Sequence, residues 1–192
     1  MTRVGVLALQ GDVREHVAVL ESLGVDVVLV RTPEQLDGLS GLVVPGGEST
    51  TMAHLLDTSG LRPVVEQQIR AGLPVLGTCA GLILLSRHIL DGRPDQWSIG
   101  AIAVDVRRNG YGRQMSSFET DIEVKGVGAV PGVFIRAPKI ESWSDDVEVL
   151  ANHDHGDGVH PVLVRQGHVW GCSFHPELTS DDRVHRLFVD AL

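Results

Sequence analysis

The chain has 192 residues, of which 43% are hydrophobic, and it carries a formal net charge of −9. This length and composition predict one globular domain over residues 1–192 with a sizeable core. The negative charge and the lack of any basic run argue against nucleic-acid binding. Two cysteines, Cys79 and Cys172, are too few for a disulfide framework or a Cys-x-x-Cys zinc site. The apolar run 4–9 is too short for a signal peptide or a membrane span, so we expect a soluble, cytoplasmic protein with no membrane contact.

The N-terminal half alternates short apolar runs, typical of buried strands, with amphipathic helical patterns. Asp12 and Glu15 resemble a capping box at the start of the first helix, which Gly24 ends. Later helices are predicted over 49–57 and 61–71. This alternation indicates a parallel sheet with helices on both faces. The predicted strands are 4–9, 25–30, 42–44 and 74–77, with a helical turn beginning at Thr32 and Pro33.

After Gly100 the pattern changes to short strands separated by turns, which predicts hairpin-like connections. A last helix is predicted over 180–192, because Val184, Leu187 and Phe188 share one helical face. The two halves together predict an α/β fold with a mixed, mostly parallel sheet. The strands predicted in this half are 102–106, 118–124, 133–136, 147–151, 162–165 and 169–174.

A glycine-flanked cysteine lies between the strand 74–77 and an apolar helix that begins at Ala80. Gly77-Thr78-Cys79-Ala80-Gly81 matches the G-x-nucleophile-x-G elbow, with cysteine where α/β-hydrolases have serine. The glycines matter because such a turn is strained and leaves no room for side chains beside the nucleophile. The start of a helix also favours a thiolate. Taken alone, the stretch fits a buried structural cysteine equally well.

His175 and Glu177 flank Pro176 just after the last predicted strand. Because the residue before proline avoids the helical region, we expect an extended segment whose residues i and i+2 point to the same side. The carboxylate can then orient the imidazole, as a thiolate nucleophile and its base require. His-x-Glu alone is more often structural, and the glycine-flanked cysteine makes the pair more specific.

A turn, Pro45-Gly46-Gly47-Glu48, follows the third predicted strand, with Ser49 as the expected N-cap of the next helix. Free backbone N–H groups at such a helix start suit an oxyanion, and the N–H groups of Gly47 and Ala80 would serve. The alternative is a tight turn and helix cap without catalysis. Because parallel strands end at one edge, we expect Gln10, this turn and Cys79 to share a crevice.

Together, Gly-Thr-Cys79-Ala-Gly, Pro-Gly-Gly47 and Phe-His175-Pro-Glu177 resemble the class I, or triad, glutamine amidotransferases. More narrowly, the chain resembles the glutaminase subunits of pyridoxal 5′-phosphate synthase, the PdxT/SNO family. The resemblance implies a three-layer, flavodoxin-like fold and covers essentially the whole chain. The segments that carry the narrower resemblance are 7–16, 45–51, 108–114, 133–138 and 171–179.

The resemblance implies hydrolysis of L-glutamine to glutamate and ammonia through a γ-glutamyl thioester. Cys79 would be the nucleophile, His175 the proton carrier and Glu177 its orienting carboxylate. Arginine is apt for the substrate α-carboxylate because it can bind it in a bidentate manner, although arginines can also merely pair with surface acids. The glutamine-binding residues that the resemblance implies are Gly47, Glu48, Ser49, Arg108, Ile135 and Arg136.

The resemblance also implies a partner, the synthase subunit, which receives the ammonia and builds pyridoxal phosphate from ribose 5-phosphate and glyceraldehyde 3-phosphate. Gln10 resembles the residue that family members use in partner-linked activation. No metal and no other cofactor is implied. Two alternatives stay open, a glutaminase subunit of another class I amidotransferase and a catalytically silent regulatory subunit.

The segment 152–160 contains three histidines and two aspartates, a composition that suggests a metal site. Gly156-Asp157-Gly158 instead predicts a flexible loop between two strands. We therefore expect a solvated hairpin loop here, and we expect Cys172 to lie in the core.

Overall fold

The computed structural model describes residues 2–110, 117–156 and 158–192. The first half alternates strands and helices as predicted, and a short 3-10 helix at Pro33–Leu36 follows the second strand. Its elements are β1 (Arg3–Leu7), α1 (Val13–Ser22), β2 (Asp26–Val30), β3 (Gly41–Val44), α2 (Ser49–Thr58), α3 (Leu61–Arg70), β4 (Val75–Thr78) and α4 (Ala80–Leu85).

The second half consists mainly of strands and ends in a short helix. Its elements are β5 (Ser86–Ile89), β6 (Ile102–Arg107), β7 (Ser117–Val124), β8 (Gly128–Ile135), β9 (Lys139–Trp143), β10 (Glu148–Asp154), β11 (Val159–Gln166), β12 (Val169–Cys172) and α5 (Arg183–Val189).

A seven-stranded sheet in the order β10-β11-β12-β4-β3-β1-β2 forms the centre of the molecule. The five strands from β12 to β2 are parallel, whereas β11 and β10 continue the sheet in antiparallel fashion. β3 and β4 are buried along their whole length, as expected for central strands covered on both faces. The predicted mixed, mostly parallel sheet is confirmed.

Hydrophobic cores lie on both faces of this sheet, because successive strand residues point to opposite sides. Val43 and Leu76 contribute to the core that contains Leu20 of α1 and Phe188 of α5. The neighbouring strand residues Val44 and Val75 belong to the other core, which α2, α3 and α4 cover. The predicted helices on both faces are therefore present.

Two small sheets complete the fold, one with the order β5-β6-β9 and one hairpin of β7 and β8. The sequence did not predict β5 or β9, since both are short and consist mostly of polar residues. None of the helices within residues 2–110, 117–156 and 158–192 has the length and apolar character needed to cross a bilayer.

The segment 152–160 forms the predicted hairpin, with His153 of β10 paired to His160 of β11. It is less solvated than predicted, because the rings of His153 and His155 are half-buried and lie against Phe118 and Phe134. Residue 157 lies outside the described residues.

Candidate active site

Cys79 lies in a strained turn between β4 and α4, with backbone angles of φ 48° and ψ −105°. A side chain on either flanking glycine would collide with backbone. A Cβ on Gly77 would lie 2.6 Å from the carbonyl carbon of Gly81, and one on Gly81 would lie 2.0 Å from the carbonyl oxygen of Val44. The predicted elbow and its need for glycine are confirmed.

A cavity of about 430 Å³ opens above Cys79 at the carboxyl edge of the parallel strands. Such edges are where open α/β sheets bind ligands. Ala80, directly after Cys79, is buried, and Glu177 lies behind His175 rather than on the cavity wall. The sequence-predicted residues that line the cavity are Gln10, Gly47, Glu48, Ser49, Cys79, Arg108, Ile135, Arg136 and His175.

His175 and Glu177 form a short contact, with His175 Nδ1 2.7 Å from Glu177 Oε1. The Glu177 side chain is completely buried. The extended segment that the sequence predicts here is wrong beyond His175, because Pro176–Leu178 form a 3-10 helix. Proline suits the first position of such a turn, which turns the Glu177 carboxylate back onto the imidazole.

Asp12 is a site residue that the sequence did not predict. We expected it to cap α1, but its side chain makes no cap hydrogen bond. Its Oδ2 instead lies 3.3 Å from His175 Nδ1, and its side chain is 34% exposed. Its position in the sequence could have indicated this role, because Asp12 comes directly after Gln10 and Gly11, at the edge of the sheet where the other site residues lie.

The electrostatics of the site favour a protonated His175. Burial opposes the charge, but favourable interactions with Asp12, Cys79 and Glu177 outweigh it and raise the pKa of His175 to about 12. Burial also raises the pKa of Glu177, and the hydrogen bond and charge of His175 oppose that shift. An imidazolium beside Cys79 can both stabilise a thiolate and give a proton to a leaving group.

The turn before α2 differs from the prediction in its cap. Glu48, not Ser49, caps the helix, because its carboxylate accepts hydrogen bonds from the backbone N–H groups of Thr50 and Thr51. Burial opposes ionisation of Glu48, but a hydrogen bond from the Thr51 hydroxyl together with those from the two N–H groups outweighs it and lowers the pKa of Glu48 to about 2. The hydroxyl of Ser49 accepts a hydrogen bond from Gln96 instead, at 3.0 Å.

Arg108 is fixed by neighbours on the cavity wall. Its Nη1 donates to Gln96 Oε1 at 2.7 Å and to the hydroxyl of Thr50 at 3.0 Å. Gln96 therefore bridges Arg108 and Ser49, and it is a second residue that the sequence did not predict. Residues 111–114 of the Arg108 motif lie outside the described residues.

The end of β8 forms another part of the cavity lining. The carbonyl oxygen of Ile135 lies 3.9 Å from the Cys79 sulfur, and Arg136 has a φ of 44°, unusual for a residue with a side chain. This conformation at the end of the strand holds Arg136 in the cavity lining.

Gln10 packs on the glycine turn. Its Oε1 accepts a hydrogen bond from the backbone N–H of Glu48 at 2.8 Å. A Cβ on Gly47 would lie 2.5 Å from this oxygen, so the fit requires glycine. The side chain of Gln10 thus touches the turn expected to supply the oxyanion donor.

Among the described residues, the side chains of metal-ligand type that converge are Asp12, His175 and Glu177, whose ligand atoms lie within 4.8 Å of one another. These are the proposed base and its two carboxylate neighbours. The histidines and aspartates of 152–160 form no such group in the described part of that hairpin.

Comparison with known proteins gives consistent matches over almost the whole chain. The SNO glutamine amidotransferase family model matches residues 6–192. A relative from Mycobacteroides abscessus, described as pyridoxal 5′-phosphate synthase subunit PdxT, is 57% identical over 97% of this chain and 95% of its own. A relative from Rhodococcus opacus with the same description is 54% identical over 99% of this chain and 98% of its own.

Solved structures agree with these sequence matches. A crystal structure of a glutamine amidotransferase is 50% identical, with a TM-score of 0.91 and 97% of each chain covered. The structure of PurLQS from Thermotoga maritima, only 16% identical with a TM-score of 0.75, covers 99% of this chain and 98% of its own and shares the fold. The predicted glutamine amidotransferase fold is confirmed.

Proposed function

Because the chain belongs to the SNO glutamine amidotransferase family, we propose that it hydrolyses L-glutamine to L-glutamate and ammonia as the glutaminase subunit of a pyridoxal 5′-phosphate synthase. The observation that carries the proposal is the 2.7 Å contact between His175 Nδ1 and Glu177, with His175 in the same cavity as Cys79. A nucleophile, a base and an orienting carboxylate are the parts that acyl transfer through a thioester requires.

In the acylation step, the Cys79 thiolate attacks the side-chain amide carbon of glutamine and forms a carbon–sulfur bond. The N–H groups of Gly47 and Ala80 stabilise the negative charge that develops on the carbonyl oxygen. His175 gives its Nε2 proton to the amide nitrogen, the carbon–nitrogen bond breaks, and ammonia leaves. Since Nδ1 of His175 contacts Glu177, Nε2 is the nitrogen that exchanges protons with the substrate.

In the deacylation step, water attacks the thioester carbonyl carbon while His175 Nε2 takes one of its protons. The carbon–sulfur bond breaks, glutamate leaves, and the thiolate and imidazolium are restored. Glu177 keeps the imidazole oriented throughout and is not itself protonated.

Substrate binding is assigned to the two arginines that line the cavity. Arg108 and Arg136 are the residues whose charge suits the α-carboxylate of glutamine. Ser49 and Ile135 complete the lining beside them. Glu48 contributes mainly by shaping the turn, because its carboxylate is occupied in capping α2.

The ammonia released is consumed by a synthase subunit, as the description of the relatives suggests. Gln10 is the proposed link to that partner. Its hydrogen bond to the N–H of Glu48 couples it to the adjacent Gly47, so a displacement of Gln10 would move the oxyanion donor. A cytoplasmic location is part of the same proposal.

An assay with alternative partners tests the proposal. Glutamate and ammonia are measured for the purified chain alone, with its cognate pyridoxal 5′-phosphate synthase subunit, and with the synthase subunit of a different class I amidotransferase. We expect the pyridoxal 5′-phosphate synthase subunit to stimulate glutamine hydrolysis and the other synthase subunit to have no effect. Stimulation by the other synthase would overturn the assignment, and an inactive complex would support the silent regulatory subunit.

A further inference from the structure

Two fully buried histidines connect Glu177 to the protein interior, and the proposed mechanism uses neither of them. His16 lies on α1 and His185 on α5. Nδ1 of His16 is 2.9 Å from Nε2 of His185. Its Nε2 is 3.1 Å from the hydroxyl of Thr78 and 3.5 Å from Glu177 Oε1. We call His16 and His185 the histidine pair.

Glu177 has few hydrogen-bond donors for a buried carboxylate. Its Oε1 contacts His175, whereas its Oε2 has no hydrogen-bond partner within the described part of the chain. A buried carboxylate with too few donors tends to take up a proton, and a protonated Glu177 could no longer hold His175 by charge. Besides His175 and the backbone N–H of Glu177 itself, the ring of His16 is a side-chain group that can donate to this carboxylate, with its Nε2 3.5 Å from Oε1.

The positions of the nitrogens decide the tautomers of the histidine pair. If His16 carried its proton on Nδ1, His185 Nε2 would have to accept, and the proton of neutral His185 would sit on Nδ1. That atom has no hydrogen-bond partner among the described residues, so an orphaned N–H would be buried. The bare Nε2 of His16 would also point its lone pair at the Glu177 carboxylate.

The opposite arrangement gives the N–H group of each ring an acceptor. His185 donates from Nε2 to His16 Nδ1, and His16 donates from Nε2 into the space shared by the Thr78 hydroxyl and Glu177 Oε1. The unpartnered Nδ1 of His185 is then a lone pair, which is tolerated better than a buried N–H.

We propose that His16, locked in its Nε2–H tautomer by His185, is a positioning residue that donates towards Glu177 and keeps that carboxylate ionised and aimed at His175. This inference rests on the proposed glutaminase triad and extends it by two residues. The histidine pair acts through Glu177 and does not touch the substrate cavity.

The charge state of the histidine pair agrees with this role. Burial lowers the pKa of His16 well below its usual value, and repulsion by His185 and His175 adds to the shift. Burial lowers the pKa of His185 to about 4, against the smaller opposing effect of Asp182. Both rings are therefore neutral at pH 7, and each carries a single N–H group that needs an acceptor.

The same helix also contacts the other end of the His175–Glu177 pair. Asp12, one turn before His16, lies against His175 Nδ1, and its carbonyl oxygen accepts a hydrogen bond from the backbone N–H of His16 at 3.3 Å. The first turn of α1 thus contacts both the imidazole and the carboxylate, which makes it a rigid support for their relative orientation.

The tautomers can be measured without any turnover. Imidazole ¹⁵N NMR spectra of the full chain at pH 7 should show both rings neutral, with the proton on Nε2 and a bare Nδ1. A proton on Nδ1 of His16 would overturn the inference. Because this measurement needs no glutaminase activity, it judges the histidine pair even if the proposed function fails.

Variants of His16 test the consequence for catalysis in the complex with the synthase subunit. His16→Leu should lower kcat by about tenfold or more, since an oriented acid–base group contributes about 10²–10⁴-fold, with little change in KM. It should also move the acidic limb of the pH–rate profile to higher pH, because Glu177 takes up a proton more readily. His16→Gln keeps an N–H close to the Nε2 position and should recover most of the loss.

Exposed His54 provides the matched control, and His54→Leu should behave like the wild type. Unfolding temperatures are measured for all variants, since a merely structural role would lower stability without moving the acidic limb. Wild-type kcat and an unmoved acidic limb in His16→Leu would overturn the inference, as would a His16→Gln variant no better than His16→Leu.

Discussion

His175 Nδ1 lies 2.7 Å from Glu177 Oε1, and the Glu177 side chain is completely buried. The same nitrogen also faces Asp12 Oδ2, at 3.3 Å and on a side chain that is 34% exposed. The contact with Glu177 is shorter and shielded from water, whereas water screens the partly exposed charge of Asp12. The contact with Glu177 is therefore the stronger of the two. Two carboxylates thus compete for one imidazole, and their unequal geometry supports the proposal that Glu177 is the orienting carboxylate.

Replacing each carboxylate by its amide separates their contributions. We expect Glu177→Gln to lower kcat of the complex by about 10²-fold or more, since His175 loses the partner that fixes its tautomer. We expect Asp12→Asn, the matched variant at the longer contact, to cost less than about tenfold. Steady-state glutaminase kinetics measure kcat for both variants. Equal losses of kcat would mean that Asp12 shares the orienting role.

The elbow predicts an unequal cost for two glycine substitutions. A Cβ on Gly81 would meet the Val44 carbonyl oxygen at 2.0 Å, so Gly81→Ala should cost about 3 kcal/mol or more of unfolding free energy. Gly24 has open space around it and a φ of 76°, so Gly24→Ala should cost about 1 kcal/mol. Urea unfolding measures both, and similar losses would show that the elbow relaxes easily.

The bridge through Gln96 predicts an effect on substrate affinity. Gln96→Leu removes the acceptor that fixes Arg108 and the donor to Ser49, so KM for glutamine should rise about tenfold with kcat nearly unchanged. Arg108→Ala should raise KM further, since a charge-assisted contact is lost. Exposed Gln67 on α3 supplies the control Gln67→Leu. An unchanged KM in Gln96→Leu would show that the bridge through Gln96 does not contribute to glutamine binding.

The histidine pair predicts how stability depends on pH. In the unfolded chain these histidines take up protons near their usual pKa of 6.5, whereas the folded chain keeps them neutral until well below it. The unfolded state then binds more protons, so stability falls as pH drops below 6.5, by at most about 1.4 kcal/mol per pH unit for each histidine. His175 opposes this slope near pH 6.5, because its raised pKa keeps it protonated in the folded chain while the unfolded chain is still taking up its proton there. This opposing effect fades at lower pH, where His175 is protonated in both states.

Unfolding free energies between pH 6.5 and 5 check this slope. The double variant His16→Gln with His185→Gln should show a shallower dependence than the wild type, whatever its absolute stability. The variant His54→Gln should keep the wild-type slope. A double variant with an unaltered slope would contradict the neutral, buried state of the pair.

Local features of the site followed well from the sequence. The elbow around Cys79 could be predicted because strand, turn and helix are consecutive in the sequence. Its two glycines also indicate positions where another part of the backbone comes too close for a side chain. His175 and Glu177 were correctly paired, although through a 3-10 turn rather than an extended segment. Proline restricted His175 as expected but did not determine the conformation after it.

The residues that were missed depend on long-range packing. Asp12 has the sequence context of a helix cap, and only the position of β12 and the segment after it brings His175 to its carboxylate. Gln96 lies in an irregular stretch with no periodicity, and it reaches Ser49 across 47 positions of sequence. The order of strands in the central sheet, with β12 beside β4, likewise has no local signature.

The identity of the nucleophile is tested most directly by trapping the acyl-enzyme. The complex is mixed with glutamine, quenched in acid within the first turnover and digested for mass spectrometry. We expect a γ-glutamyl group on the peptide that contains Cys79 in the wild type and in Cys172→Ala, whose lost thiol is fully buried, and none in Cys79→Ala. An adduct on another residue, or glutaminase activity that persists in Cys79→Ala, would contradict the proposed mechanism.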